Sequence, residues 1–262
     1  MILGETDERL LSRAEDLLER ARRGEITHTR FLTPGELHRV RQNLKCDAEE
    51  LCAFGGYAAA ERQRVFFLPG YLAALEEDDR AACLADAFAD SVIALEIKGS
   101  GYRELTHRDF LGALLHLGVE RDAIGDVCVL APDRAILFCD RVMAEFFTEH
   151  LERVANDAVK LQTVTVPPDF DGGRQFVGVS DTVASPRADA VVAALANLSR
   201  ERAQSLFRQG MVEIDYAPEE RTDRTVTEGA VIVIRGVGKF IVRSLSDKTR
   251  KGRFRLLADR YI

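Results

Sequence analysis

The chain has 262 residues, 46% of them hydrophobic, with 36 Lys+Arg against 43 Asp+Glu and a net charge of −7. That is enough apolar material for a real core, and at ordinary domain sizes it predicts two or three domains. There is no apolar run of roughly eighteen residues, which argues against a helical membrane span, and the start MILGETDERLLSRAEDLLER lacks the basic-then-apolar pattern of a secretory leader, so the expected location is the cytoplasm.

Residues 1–90 read as a mainly helical domain. Leu10, Leu11, Ala14, Leu17, Leu18 and Ala21 recur at helical spacing, and Gly24 follows the Arg22-Arg23 end. Thr33-Pro34 opens a second helix, with Thr33 as N-cap, Pro34 at the first position and Glu36 close behind. The segment FGGYAAAERQRVFFLP predicts a break at Gly55-Gly56, a short helix or turn, and an apolar strand from Val65 to Leu68.

Residues 91–166 alternate. VIALEIKG is a strand, THRDFLGALLHLGV a helix, GDVCVLAPDRAILFCD a hairpin-like pair, RVMAEFFTEHLERVAN a helix and AVKLQTVTV a strand. The order β-α-β-β-α-β is the ferredoxin-like pattern that RNA-recognition motifs (RRMs) share. Those motifs stack bases on sheet aromatics, but here RAILFC offers only Phe138 and VIALEI none. The block therefore reads as an RRM-like scaffold, with base stacking on its sheet as the alternative. Residues 167–182 read as a linker: PPDFDGGRQ is rich in Pro, Gly and Asp, and a short strand, FVGVS, follows.

Catalytic motifs do not assemble. His-Arg-Asp in THRD resembles a kinase catalytic loop, but Leu114 stands where the metal-binding Asn belongs, and the pattern Thr106-x-x-Asp109 fits a helix cap instead. RGVGKF lacks the glycine and hydroxyl spacing of a phosphate loop, and Gly99-Ser100-Gly101 lacks that of a dinucleotide fingerprint. Cys46, Cys52, Cys83, Cys128 and Cys139 lack metal-ligand spacing and read as mostly buried free thiols, and the five histidines are scattered. No metal and no cofactor are expected.

Residues 183–262 differ in charge. They hold 15 basic and 10 acidic residues, net +5, whereas residues 1–182 hold 21 and 33, net −12. A basic module on an acidic body points to a polyanionic partner at one end. Ser185-Pro186 predicts a helix start with Arg187 in its first turn. Ser199 caps a second helix that Gly210 ends. Ala203, Leu206 and Phe207 share one face of that helix, and Arg200, Gln204 and Arg208 share the next. Such a stripe is either a solvated surface or a binding face. The strands MVEID, AVIVIRG and GKFIVRSL then bring Arg235, Lys239 and Arg243, and a basic tail holds Lys248, Arg250, Lys251, Arg253 and Arg255.

Arg187-Ala188-Asp189, Ser199-Arg200, Ala203, Arg208-Gln209-Gly210, Val212, Arg235-Gly236 and Gly238-Lys239 together resemble the S4-type RNA-binding domain, an α-L motif. The chain departs from that pattern at Asp215-Tyr216, where the motif has Asn-Gly, and at Gly229-Ala230, where it has Gly-Asp. With FGGYAAAERQRVFFLP, EIKGSGYRELTHRDFLGALLHLGVERDAIGDV and RVMAEFFTEHLERV placed ahead of that domain, the chain is similar to the YlmH family from about Thr27 to Phe240, and to related photosystem-associated proteins. The resemblance implies an α+β protein: a helical N-terminal domain, an RRM-like middle domain and a C-terminal S4-type domain. It implies a non-catalytic binder of rRNA or tRNA on the large ribosomal subunit, acting in rescue of stalled translation, with an older association with cell division. The RNA-binding residues expected are Arg187, Ser199, Arg200, Arg202, Gln204, Arg208, Arg235, Lys239 and Arg243. A protein partner is expected on the acidic N-terminal body. An RNA-modifying enzyme and a cell-division adaptor are the alternative functions.

Overall fold

The computed structural model describes residues 5–245 and 252–261 and divides into two units, residues 1–173 and 174–262. Each is treated separately.

The first unit opens with α1 (Glu5–Arg22), β1 (Thr27–His28), α2 (Pro34–Asn43), β2 (Leu51–Phe54), β3 (Arg64–Phe67), α3 (Gly70–Ala73) and α4 (Glu77–Ser91). The expected helices form. α2 has a full capping box: the Thr33 side chain accepts from Glu36 N, and the Thr33 N–H donates to the Glu36 carboxylate at 2.7 Å. The segment is less helical than its composition suggests, because β1, β3 and β2 form a three-stranded antiparallel sheet. Val65 and Phe67 face α1 and α2, while Phe66 enters a different core, so β3 is buried on both faces and reads as a continuous apolar run.

Then follow β4 (Ile93–Lys98), α5 (His107–His116), β5 (Ile124–Ala131), β6 (Arg134–Cys139), α6 (Arg141–His150), β7 (Arg153–Val154), β8 (Asp157–Ala158) and β9 (Lys160–Val164). The four long strands order as β5-β6-β4-β9, antiparallel throughout. α6 is shorter than expected. It stops at His150, and β7 and β8 make a small hairpin around Ala155, whose φ is +50°.

Period-two alternation splits the sheet into two faces. Leu95, Ile97, Ala135, Leu137 and Cys139 pack with Phe110, Leu114 and Phe147 of α5 and α6. Ala94, Ile136, Phe138 and Cys128 point the other way, into a cluster with Phe31, Tyr57, Phe66 and Leu84. Phe138 is fully buried: Tyr57 stacks on it at 5.0 Å, and a Cβ at Gly56 would lie 2.2 Å from its ring. Gly56 also has φ +99°, so only glycine fits there. The alternative in which this sheet stacks bases through Phe138 is therefore wrong, because the N-terminal segment already covers that ring. Phe170, from the stretch read as a linker, packs edge-on against Tyr57 at 5.1 Å, so residues up to 170 are tied to the core.

The second unit contains β10 (Phe176–Val183), α7 (Ala188–Leu195), α8 (Arg200–Arg208), β11 (Val212–Ile214), β12 (Ala217–Pro218), β13 (Val231–Ile234), β14 (Gly238–Ser244) and β15 (Phe254–Tyr261). The sheet order is β10-β15-β14-β13-β11-β12. Much of the expected linker is thus β10, paired along its whole length with β15. α7 and α8 cover one face, where Val191, Val192, Leu195, Ala203 and Phe207 meet Ile232, Ile234, Phe240, Val242 and Leu256.

α7 does not start at Ser185-Pro186. Its N-cap is Arg187, whose side chain makes no capping bond. The first N–H groups donate instead to carbonyls from a distant loop, Ala188 N to Arg224 O at 2.8 Å and Asp189 N to Thr222 O at 3.0 Å. Tertiary pairing satisfies the helix start, so the local proline signal does not decide it. Of the cysteines, Cys128 and Cys139 are buried, Cys46 and Cys52 half-buried and Cys83 exposed, and burial pushes the Cys52 thiol up to about 11.

Candidate nucleic-acid interface

The two helices of the second unit meet around one buried carboxylate. Asp189 has no solvent exposure. Arg200 forks onto it, Nε to Oδ2 and Nη2 to Oδ1, both at 3.0 Å. Gln204 Nε2 donates to Oδ2 at 2.9 Å, and Arg187 Nε reaches Oδ1 at 3.3 Å. Burial alone would push this carboxyl up, but the hydrogen bonds from Arg200, Gln204 and Arg187 outweigh it and hold it at about 2. The Arg200 guanidinium is raised in turn, first by its hydrogen bond to Asp189.

The helical stripe is therefore not uniform. Arg200 and Gln204 spend donors on Asp189, while the Arg200 side chain stays 48% exposed. Arg202 and Arg208 are exposed and form no ion pair among the described residues. Ser199 is a cap whose hydroxyl accepts from Arg202 N at 3.3 Å. Beside Arg200, the flank of α7 formed by Ala190, Ala193 and Ala194 lines a shallow groove of about 270 Å³, with Arg253 also in its wall. Arg253 is fixed by bonds to Thr182, Nε to the hydroxyl at 3.0 Å and Nη2 to the carbonyl at 2.6 Å.

The strand cations lie elsewhere. Phe240 and Val242 point to the helices, so Lys239 and Arg243 alternate onto the opposite face of the sheet. They do not extend the helical stripe as the sequence order suggested. Lys239 Nζ sits 4.5 Å from the Tyr261 ring centroid and 5.6 Å from that of Tyr216. Arg243 Nε donates to Asp259 at 2.7 Å, and Arg235 Nη2 reaches Glu213 at 3.3 Å. Lys248, Arg250 and Lys251 lie outside the described residues.

The turn departure at Asp215-Tyr216 keeps its backbone. Both residues adopt positive φ, +52° and +65°, as a two-residue hairpin turn of type I′ requires. Asp215 accepts from Val231 N at 3.1 Å, which anchors the turn. Tyr216 lacks glycine's freedom at that angle, a strain of roughly 1–2 kcal/mol.

Sequence reasoning quoted Asp189 as part of a motif but did not see it as the hub. The signal was a single acid with two arginines and a glutamine, at positions 187, 200 and 204, which only the packing of α7 on α8 brings together. Among the described residues, no cluster of His, Cys, Asp and Glu could hold a metal, and no helix is long and apolar enough to cross a membrane.

Comparison with known proteins adds to this geometry. The family model described as "YlmH, N-terminal" matches residues 6–72, and that described as "Putative RNA-binding domain in YlmH" matches residues 88–167. The solved structure of "Cell division protein ylmH from Streptococcus pneumoniae" aligns over 63% of this chain and 94% of its own, at 18% identity and a TM-score of 0.47. "Ribosome-associated protein quality control protein P2" of Bacillus subtilis (strain 168) is 30% identical over 234 residues, 88% of this chain and 86% of the relative. With that identity sustained over most of both sequences, and the two family models matching its first two segments, the chain belongs to the YlmH family.

Proposed function

We propose that this protein is a non-catalytic, cytoplasmic RNA-binding factor that associates with ribosomes. We place its RNA contact on the rRNA or tRNA of the large subunit, in rescue or quality control of stalled translation. The finding behind the ribosomal part is the relative from Bacillus subtilis, whose name ties it to ribosome-associated quality control. The observation that carries the RNA part is the α7–α8 face, where a buried acid fixes Arg200 in an outward pose beside exposed Arg202 and Arg208. A pre-oriented guanidinium loses little freedom on meeting a phosphate, and its planar fork suits that ligand. The layout expected from sequence, an S4-type module after an RRM-like one, fits this reading. Arg187, Ser199 and Gln204 act in it as positioning residues, and Arg200, Arg202 and Arg208 as phosphate contacts. Arg235, Lys239 and Arg243 supply charge on a second face. The acidic N-terminal body is the place for a protein partner.

The test is co-sedimentation with purified large subunits across a salt series. The parent chain pellets with the subunits at low salt and is released as salt rises, because phosphate contacts dominate. An Arg202→Glu/Arg208→Glu/Lys239→Glu variant, which leaves the Arg200–Asp189 pair intact, stays in the supernatant. Equal pelleting of parent and variant rejects the assignment.

A further inference from the structure

Burial of Phe138 raises a question about residues 88–167. If the face that stacks bases in other proteins of this topology is covered, what in this segment meets RNA? The register of the sheet answers it row by row. Across β6, β4 and β9 on the face turned away from α5 and α6, the first row is Phe138, Ala94 and Val164, all in the core with the N-terminal aromatics. The second is Ile136, Glu96 and Gln162. The third is Arg134, Lys98 and Lys160, and all three are exposed. One face is thus apolar and covered at one end, cationic and open at the other.

Three cations in direct cross-strand register repel one another and cost stability. Their own surroundings offset little of this. Glu96 is only 14% exposed, takes a hydrogen bond from Gln162 at 2.7 Å and lies 3.8 Å from Arg134. No ion pair involves Lys98 or Lys160 among the described residues. Asp157, the buried acid beside this end of the sheet, is engaged by Ser100 through both the backbone N–H, at 3.0 Å, and the hydroxyl.

The loop leaving β4 lies next to this row and is firmly held. Gly99 N donates to Asp133 O at 2.7 Å, and Leu105 N to Pro132 O at 2.6 Å, so both loop ends are stapled to the β5–β6 turn. Leu105 is buried as an anchor. Between the staples Tyr102 is 93% exposed, the most exposed large apolar side chain among the described residues, and Arg103 beside it is exposed too. Glu104 and Asp133 are the remaining acids of these loops, against four cations.

We propose that the Lys160–Lys98–Arg134 row, with Arg103 and Tyr102, is a second RNA contact surface that takes a single-stranded segment. The cations meet successive phosphates and the Tyr102 ring stacks on a base. This rests on the proposed RNA-binding role and locates a separate contact for it. Cations on a groove with an adjoining aromatic are the general means of holding single strands without reading sequence. Among the described residues Glu96 pairs with Arg134 alone, and the repulsion left at Lys98 and Lys160 is what a polyanion would remove on binding.

The test uses the full chain and a labelled single-stranded RNA oligonucleotide of mixed sequence, followed by fluorescence anisotropy over a salt series. Lys98→Gln/Lys160→Gln weakens binding and makes the slope of log affinity against log salt shallower by about 1 to 1.5, two phosphate contacts' worth. The same variant melts no lower than the parent, since it relieves repulsion. Tyr102→Ala weakens binding by roughly five- to a hundredfold at unchanged salt slope, and Tyr102→Phe restores it. If the double variant keeps the parent's affinity and slope, or melts lower, the surface is wrong while the ribosomal role stands. A parent that pellets with large subunits but ignores the oligonucleotide also overturns the surface alone, and a parent that binds neither overturns both.

Discussion

Arg200 places both Nε and Nη2 on the carboxylate of Asp189, 3.0 Å each, with the acid fully buried and the arginine half exposed. The pair couples stability to presentation of charge. The Asp189 carboxyl is held at about 2, below its ordinary value near 4, so its contribution is fully present above that ordinary value and is lost as pH falls through about 2. Urea unfolding followed by circular dichroism should show the second unit losing on the order of 2 kcal/mol between about pH 4 and pH 2. Asp189→Asn should lose that amount at neutral pH and lack this acid-dependent step.

Arg200 and the exposed arginines of α8 should separate in their effects. Arg202→Glu/Arg208→Glu should leave unfolding within about 0.5 kcal/mol of the parent, as for surface substitutions in general. It should nevertheless lower affinity for large subunits and flatten the salt dependence. Arg200→Ala should lower both stability and affinity, because it strips the buried acid of its fork. Matched denaturation and sedimentation curves would decide.

Phe138 gives a sharp contrast with proteins that stack bases on such a sheet. Its ring lies under Tyr57 with no solvent exposure. Phe138→Ala should destabilise the first unit by about 3–5 kcal/mol. RNA affinity, measured below the variant's unfolding transition, should match the parent.

Tyr57 reaches beyond that ring to an acid on β5. Its hydroxyl donates to Asp126 Oδ2 at 2.7 Å, and the same carboxylate accepts from the Glu61 and Arg62 backbone N–H groups at 2.8 and 3.0 Å. Tyr57→Phe should cost about 1–2 kcal/mol. Asp126→Ala should cost more and speed amide exchange at positions 61 and 62, since it frees the turn that follows Gly56.

Features with a local cause were readable in the amino-acid sequence. Thr33 with Glu36 and Thr106 with Asp109 form the capping boxes that their spacing implies, because a cap involves only four neighbouring residues. The start of α7 was not readable, since its caps come from residues 222 and 224. The covering of Phe138 was hidden for a similar reason: the ring belongs to one segment and its lid, Tyr57 and Gly56, to another. The placement of Lys239 and Arg243 was available and overlooked. In GKFIVRS they alternate with Phe240 and Val242, so a strand must send them to the face opposite the helices.

The pairing of β10 with β15 bears on how the second unit is made. Phe176 lies opposite Tyr261 and Val183 opposite Phe254, so the first strand of the unit is zipped by its last. During synthesis β10 emerges early and must wait, as an unpaired ribbon, for residues made some 70 positions later. Contacts so distant along the chain slow folding, because the loop must close before any of them forms. Until then β10 is an open edge able to pair with another chain. A nascent protein stopped before Phe254 would therefore carry completed helices and an uncompleted sheet margin, and it is the species in which misassembly should be sought.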